Sequence, residues 1–137
     1  MVIGLYIHVP FCRQKCAYCD FYSLPAQEEA IERYLELVVA EAALWGRVPA
    51  VNTVFFGGGT PSLLSAHQIS TVLEGVSRYF CLTKDAEITL EANPETLRPA
   101  DLLEYRRVGI NRLSLGVQTL SSELLLRLGR RHSPQQA

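Results

Sequence analysis

Apolar residues recur along the chain with two different periods, and the two alternate. Val2 to His8 is a short apolar, β-rich run ended by Pro10, which predicts a strand. Between Gln27 and Trp45 the apolar positions Ile31, Leu35, Val38, Val39, Ala42 and Trp45 share one helical face, and Gly46 and Pro49 close the segment. Val51 to Phe56 predicts a second strand, stopped by Gly57-Gly58-Gly59. Ser65 offers an N-cap for a helix running to Tyr79. Ala86 to Glu91 alternates as a third strand. Pro99 to Val108 suits a helix with proline in its first turn and Gly109 past its end. Asn111 to Leu115 predicts a fourth strand, and Ser121 to Leu128 a last helix ended by Gly129.

Strand and helix therefore alternate through four β–α units. That order gives an α/β fold of parallel strands joined by helical crossovers, and no short turn joins consecutive strands as a meander would need. Four such units make half of a β/α barrel. Half a barrel leaves a sheet edge and its inward face uncovered, and the tail from Arg130 to Ala137 reads as the start of another helix. Residues 1–137 are thus expected to be the N-terminal part of a larger domain.

Composition narrows the function. Hydrophobic residues make up 48% and charged residues 20%, with a formal net charge of −1, a balance that suits a soluble core and argues against nucleic acid as a partner. No apolar run reaches the ~20 residues of a membrane-spanning helix. The start MVIGLYIHVP lacks the basic and apolar regions of a signal peptide. The expected location is the cytoplasm.

Three of the four cysteines, Cys12, Cys16 and Cys19, stand as C-x3-C-x2-C in the loop after the first strand. Loops at strand C-terminal ends carry the chemistry of β/α folds, and cysteine thiolates are the usual ligands of iron–sulfur clusters. Three thiolates hold three irons of a [4Fe–4S] cube and leave the fourth open to a small molecule. The alternatives are a zinc site with His8 as fourth ligand, or incidental thiols. Cys81, far from the others, reads as a semi-buried free cysteine.

Polar residues follow each later strand. Gly57-Gly58-Gly59-Thr60 lets backbone approach a ligand, but lacks the Gly-Lys-Ser/Thr ending of a phosphate loop. Read blandly, it is a tight turn. Glu91 ends the third strand, where a carboxylate can accept bonds from hydroxyls. Gln118 follows the fourth, and Arg130 follows the last helix. Each has an ordinary solvated alternative, and for Arg130 that alternative is a charge at a helix C-terminus. Tyr6 and His8, two apart on the first strand, share a face opposite Ile7 and Val9.

The run Tyr6-Ile7-His8-Val9-Pro10-Phe11-Cys12, followed by Cys16, Ala17, Tyr18 and Cys19, resembles the opening of the oxygen-independent coproporphyrinogen III oxidases among the radical S-adenosylmethionine (SAM) proteins. Gly57-Gly58-Gly59-Thr60-Pro61-Ser62, Glu91-Ala92-Asn93-Pro94-Glu95 and Leu115-Gly116-Val117-Gln118 resemble later segments of that family, in order. The resemblance implies a [4Fe–4S] cluster on Cys12, Cys16 and Cys19, with SAM chelating the open iron and cleaved reductively by an external electron donor. It implies SAM contacts at Tyr6, Gly58, Gly59, Thr60, Glu91 (to the ribose), Gln118 and Arg130 (near the carboxylate). Glu95 is expected only to decorate a helix start, and Arg131 and His132 to stand beside Arg130.

The oxidases carry a further cysteine two residues past the third. Phe21 stands there, a pattern that resembles the haem-chaperone (HemW) branch of the family. That branch implies haem as the ligand delivered, where an oxidase would act on a porphyrinogen. Family members continue with further β–α units and a C-terminal domain, so this stretch alone is expected to be inactive. Anaerobic reconstitution followed by metal analysis separates the metal readings: iron with acid-labile sulfide is expected, and zinc without sulfide would refute the cluster.

Overall fold

The computed structural model describes residues 3–137, so Val2 of the first expected strand lies outside the described residues. Ten elements follow in order: β1 Ile3–Val9, β2 Phe11–Cys12, β3 Leu24–Pro25, α1 Glu28–Leu44, β4 Val48–Gly58, α2 Ala66–Val76, β5 Phe80–Ala92, α3 Pro99–Arg107, β6 Arg112–Leu115 and α4 Ser122–Arg127. Strands β1, β4, β5 and β6 form one sheet in that order, and every pairing is parallel. The α/β architecture read from the sequence is the one observed.

The sheet buries one face under helices. On β1, Ile7 and Val9 point into the core, while Tyr6 and His8 share the other face. Val51, Val54 and Phe56 of β4 and Leu90 of β5 continue the core across the sheet. Helix α2 meets them with Ile69, Val72, Leu73 and Val76, the i, i+3, i+4, i+7 stripe of an amphipathic helix. Its cap is a reciprocal pair: Ser65 Oγ accepts from the Gln68 amide at 3.2 Å, and Gln68 Oε1 from the Ser65 amide at 2.8 Å. Each buried apolar side chain is worth about 1.5–3 kcal/mol and a cap about 1 kcal/mol. The stripe, not the cap, therefore holds α2 down. Gly75 lets α1 come close, because a Cβ there would lie 2.3 Å from Val39 Cγ2.

Several boundaries differ from the sequence reading, each for a local reason. β4 and β5 are longer than predicted. β4 begins at Val48 and carries register irregularities near Ala50, which has φ 55°. It ends at Gly58 because β1 pairs with it as far as Val9↔Gly58. Helix α2 stops at Val76, short of Tyr79, because the Tyr79 carbonyl accepts from the Val48 amide at 2.8 Å. Cys81 is exposed near the start of β5, not semi-buried. The 3₁₀ turns Pro61–Leu63 and Pro94–Thr96 and the β2–β3 pair have no counterpart in the sequence reading.

Tyr105 of α3 ties the second loop to the helical layer. Its buried hydroxyl lies 2.8 Å from the Leu64 carbonyl and 3.3 Å from that of Ser62. Burial, reinforced by Asp101, pushes the phenol up to about 12. The folded protein thus favours the neutral phenol, so this contribution is complete below about pH 10 and is lost as pH rises toward 12. Tyr105→Phe is expected to cost about 1–2 kcal/mol at neutral pH. It should also flatten the alkaline loss of stability, measured by urea unfolding across that range.

Candidate metal and cofactor site

Parallel strands place all their C-terminal ends on one edge, and a cavity of about 490 Å³ opens there. Every strand end contributes to its wall: Cys12, Cys16 and Cys19 after β1, Gly59 and Thr60 after β4, Glu91 and Asn93 at the end of β5, and Gly116 and Gln118 after β6. Arg130 and Arg131 arrive after α4. The volume falls in the range of small-molecule pockets.

The cysteine loop leaves β1 through Pro10 and is closed at its base. The Leu24 amide donates to the Pro10 carbonyl at 2.6 Å and the Ala26 amide to the Cys12 carbonyl at 3.2 Å, flanking the β2–β3 pair. Tyr34 of α1 holds the start of this loop, donating to the His8 carbonyl at 2.9 Å and meeting Phe11 edge-on at 5.5 Å. Desolvation raises the Tyr34 phenol above its usual range. Within the loop, the Cys19 amide donates to the Cys16 carbonyl at 3.1 Å. All three cysteines are free thiols of intermediate exposure. Phe21 stands exposed at the cavity wall.

The glycine loop is zipped to the cysteine loop. The Gly59 amide donates to the Val9 carbonyl at 2.8 Å and the Thr60 amide to the Phe11 carbonyl at 2.7 Å. Thr60 Oγ1 donates to Cys12 Sγ at 3.6 Å. A Cβ on Gly59 would lie 2.6 Å from the Phe11 carbonyl oxygen and 3.1 Å from Cys12 Sγ, so only glycine fits.

Glu91 faces the cavity and accepts from the Gly58 amide at 3.2 Å through Oε2. Gln118 lines the same wall with φ 67°, a left-handed conformation unusual for a residue with a Cβ. Arg130 is buried, and its guanidinium reaches Asn93 Oδ1 at 2.6 Å, the Gly116 carbonyl at 2.8 Å, Glu95 Oε2 at 3.4 Å and Cys16 Sγ at 3.8 Å. Its Nε has no partner among the described residues. The solvated helix-end role weighed for Arg130 is therefore overturned. Tyr18, at the same wall, has its phenol raised first by burial and then by Cys16.

Two of the sequence-predicted contacts stand apart from the cavity wall. Tyr6 stacks on Phe55 with ring centroids 6.0 Å apart, and its hydroxyl lies 3.2 Å from His8 Nδ1. Burial raises its phenol, with Glu91 adding to the effect. Gly58 touches the site only through its amide bond to Glu91. His8 also lies away from the thiols, its Nε2 3.3 Å from the Tyr22 carbonyl. The zinc set with His8 as fourth ligand is not assembled.

Two site residues, Asn93 and Glu95, escaped the sequence reading, and a third, His132, was expected only to stand beside Arg130. Asn93 bonds both Arg130 and Thr60. Glu95, expected to decorate a helix start, instead pairs with Arg130 and with His132 Nδ1 at 3.1 Å. His132 is buried, with Nε2 3.1 Å from the Val117 carbonyl. Asn93 did carry a signal, since it caps the turn closed by Thr96 three residues on. The pairing of Glu95 with His132, across 37 positions, carried none.

The Radical SAM superfamily profile matches residues 6–137. The chain belongs to the radical SAM superfamily. Among curated radical SAM relatives it is 46% identical to heme chaperone HemW of Escherichia coli and 43% to that of Mycobacterium tuberculosis, in each case over 98% of this chain. It is 42% identical to the mitochondrial radical S-adenosyl methionine domain-containing protein 1 of Bos taurus. The chain spans only 37%, 36% and 31% of the lengths of these three. Among solved structures, coproporphyrinogen III oxidase (HemN) from Escherichia coli, a radical SAM enzyme, superposes with TM-score 0.84 at 30% identity, over 98% of this chain and 32% of that one. The archaeal Elp3 of Methanocaldococcus infernus, at 14% identity and TM-score 0.53, shares the fold alone. The four-stranded parallel sheet is thus part of a radical SAM β/α barrel.

The donor set fits a cluster better than a single ion. Among the described residues, no three His, Cys, Asp or Glu side chains converge on one ion position. A cube spaces its ligands over different irons, whereas structural zinc draws four ligands onto one centre. Gly59→Ala is expected to displace the Phe11–Cys12 backbone and to cost about 1–3 kcal/mol, read by thermal unfolding of the metal-free chain.

Proposed function

We propose that the chain holds a [4Fe–4S] cluster on Cys12, Cys16 and Cys19 and binds SAM beside it, as the cofactor-bearing part of a HemW-like haem chaperone. The observation that carries this reading is one cavity wall shared by three free thiols, a buried guanidinium and the Glu91 carboxylate. Three thiolates leave one iron open, and SAM offers an amino and a carboxylate group to chelate it. Bound there, the reduced cluster would supply the electron that cleaves SAM.

The chain's own residues each take a part. Gly59 and Thr60 border the methionine end, with their amides bonded to the Val9 and Phe11 carbonyls and the Thr60 hydroxyl to Cys12. Glu91 keeps its second oxygen for ribose hydroxyls, and its bond to the Gly58 amide fixes its orientation. Gln118 offers a polar contact, and Arg130 a charge-assisted one to the carboxylate. Tyr6 acts at longer range, on the sheet face opposite the core. Haem is the ligand delivered, an external reductant supplies the electron, and nucleic acid plays no part. No described helix is long and apolar enough to cross a membrane, which is consistent with work in the cytoplasm.

A second reading is oxidative decarboxylation of coproporphyrinogen III, favoured by the similarity to HemN. Phe21, where the oxidases carry cysteine, argues against it. Reconstitution with iron and sulfide, then EPR of the reduced protein with and without SAM, tests the cofactor assignment. A [4Fe–4S] signal that changes on adding SAM is expected, and a reconstituted cluster indifferent to SAM refutes the open iron. In a protein extended to the length of its relatives, stable haem binding without carbon dioxide release supports the chaperone, and release from coproporphyrinogen the oxidase.

A further inference from the structure

Arg130 is 8% exposed, and its side chain only 4%. A guanidinium so deeply removed from water needs a counter-charge and fixed acceptors. Glu95 supplies the charge, and Asn93 Oδ1 and the Gly116 carbonyl supply the acceptors.

Glu95 serves a second donor at the same oxygen. Oε2 lies 3.1 Å from His132 Nδ1, on a side chain with no exposed surface, and the other ring nitrogen meets the Val117 carbonyl at 3.1 Å. The ring is thereby held between Glu95 and the backbone that follows β6. Arg130 and His132 thus share one carboxylate oxygen inside the protein. Packing alone does not require this, since apolar residues of similar size fill such a space without desolvating charge. The arrangement fixes the fork of Arg130 from one side and leaves Nη1 with Cys16 Sγ as its partner, at 3.8 Å.

We infer that His132 and Glu95 are positioning residues that hold Arg130 as a hydrogen-bond donor to the Cys16 sulfur, and so raise the reduction potential of the cluster carried there. The inference rests on the cluster proposed above. Reduction adds one negative charge to the cluster, and a donor or cation at a ligand sulfur stabilises that charge. Thr60 donates to a different sulfur, that of Cys12, from another loop.

The test is an EPR-monitored redox titration of the reconstituted chain, with dithionite as reductant, on wild type, His132→Ala, Arg130→Lys and the double variant. Iron and sulfide contents are measured alongside. His132→Ala is expected to keep its cluster and move the midpoint to a more negative potential. Arg130→Lys, which keeps a charge but loses the fork, should move it the same way. The double variant should match Arg130→Lys, because His132 acts only through Arg130. Should His132→Ala lose its cluster, His132→Gln fills the space and carries the same comparison. Unchanged midpoints, or shifts that add in the double variant, overturn the inference while leaving the cluster assignment intact. If the wild-type chain takes up no cluster, the same comparison is run in a protein extended to the length of its relatives, and a wild type that takes up none there overturns both.

Discussion

In a parallel sheet each crossover helix carries the chain back to the starting end, so every strand finishes on the same edge. Here that edge collects the ends of β1, β4, β5 and β6, and the ladder sets their depth through Val9↔Gly58, Phe56↔Leu90 and Ala92↔Leu115. Side chains alternate with a period of two, so a slip of one residue in β5 would turn Glu91 into the core and Leu90 toward the cavity. The hydrophobic face of the sheet therefore does more than stabilise the fold. Burying Ile7, Val54, Phe56 and Leu90 is what aims Glu91 and delivers Cys12, Thr60 and Asn93 to one place.

The site is assembled against a cost the core does not bear. Arg130, Glu95 and His132 are charged or polar groups inside the protein, and burial of a charge is tolerated only with its partners in place. The backbone contributes as well: Gln118 holds a left-handed conformation and Gly59 admits no side chain. Residues held in sparsely populated conformations gather at functional sites because the surrounding packing over-determines them. On this edge that packing is the zipper of amides joining the glycine and cysteine loops.

Much of this was legible in the sequence, and the boundary of legibility is physical. Helical and strand periods gave the order of elements, because the buried stripe of α2 and the alternation of β1 are local patterns. The extra length of β4 and β5 was not legible, since irregular pairing near Ala50 and the polar Lys84-Asp85 break the alternation while the ladder to the neighbouring strand carries on. Cys12, Cys16, Cys19, Gly59, Thr60, Glu91, Gln118 and Arg130 were found through motif and reach the cavity wall, whereas Gly58 and Tyr6 do not. The pairing of Glu95 with His132 was missed, because the meaning of each lies in the other.

The clasp at the foot of the cysteine loop sets how far its thiols can wander. Bringing the ends of a flexible segment together costs entropy, and here the β2–β3 pair and its flanking amide bonds, from Pro10 to Ala26, meet that cost with backbone alone. The three thiols between these two points are therefore tethered to the sheet edge at both ends of their loop, and their excursions are those of a short closed segment, not of a long free one.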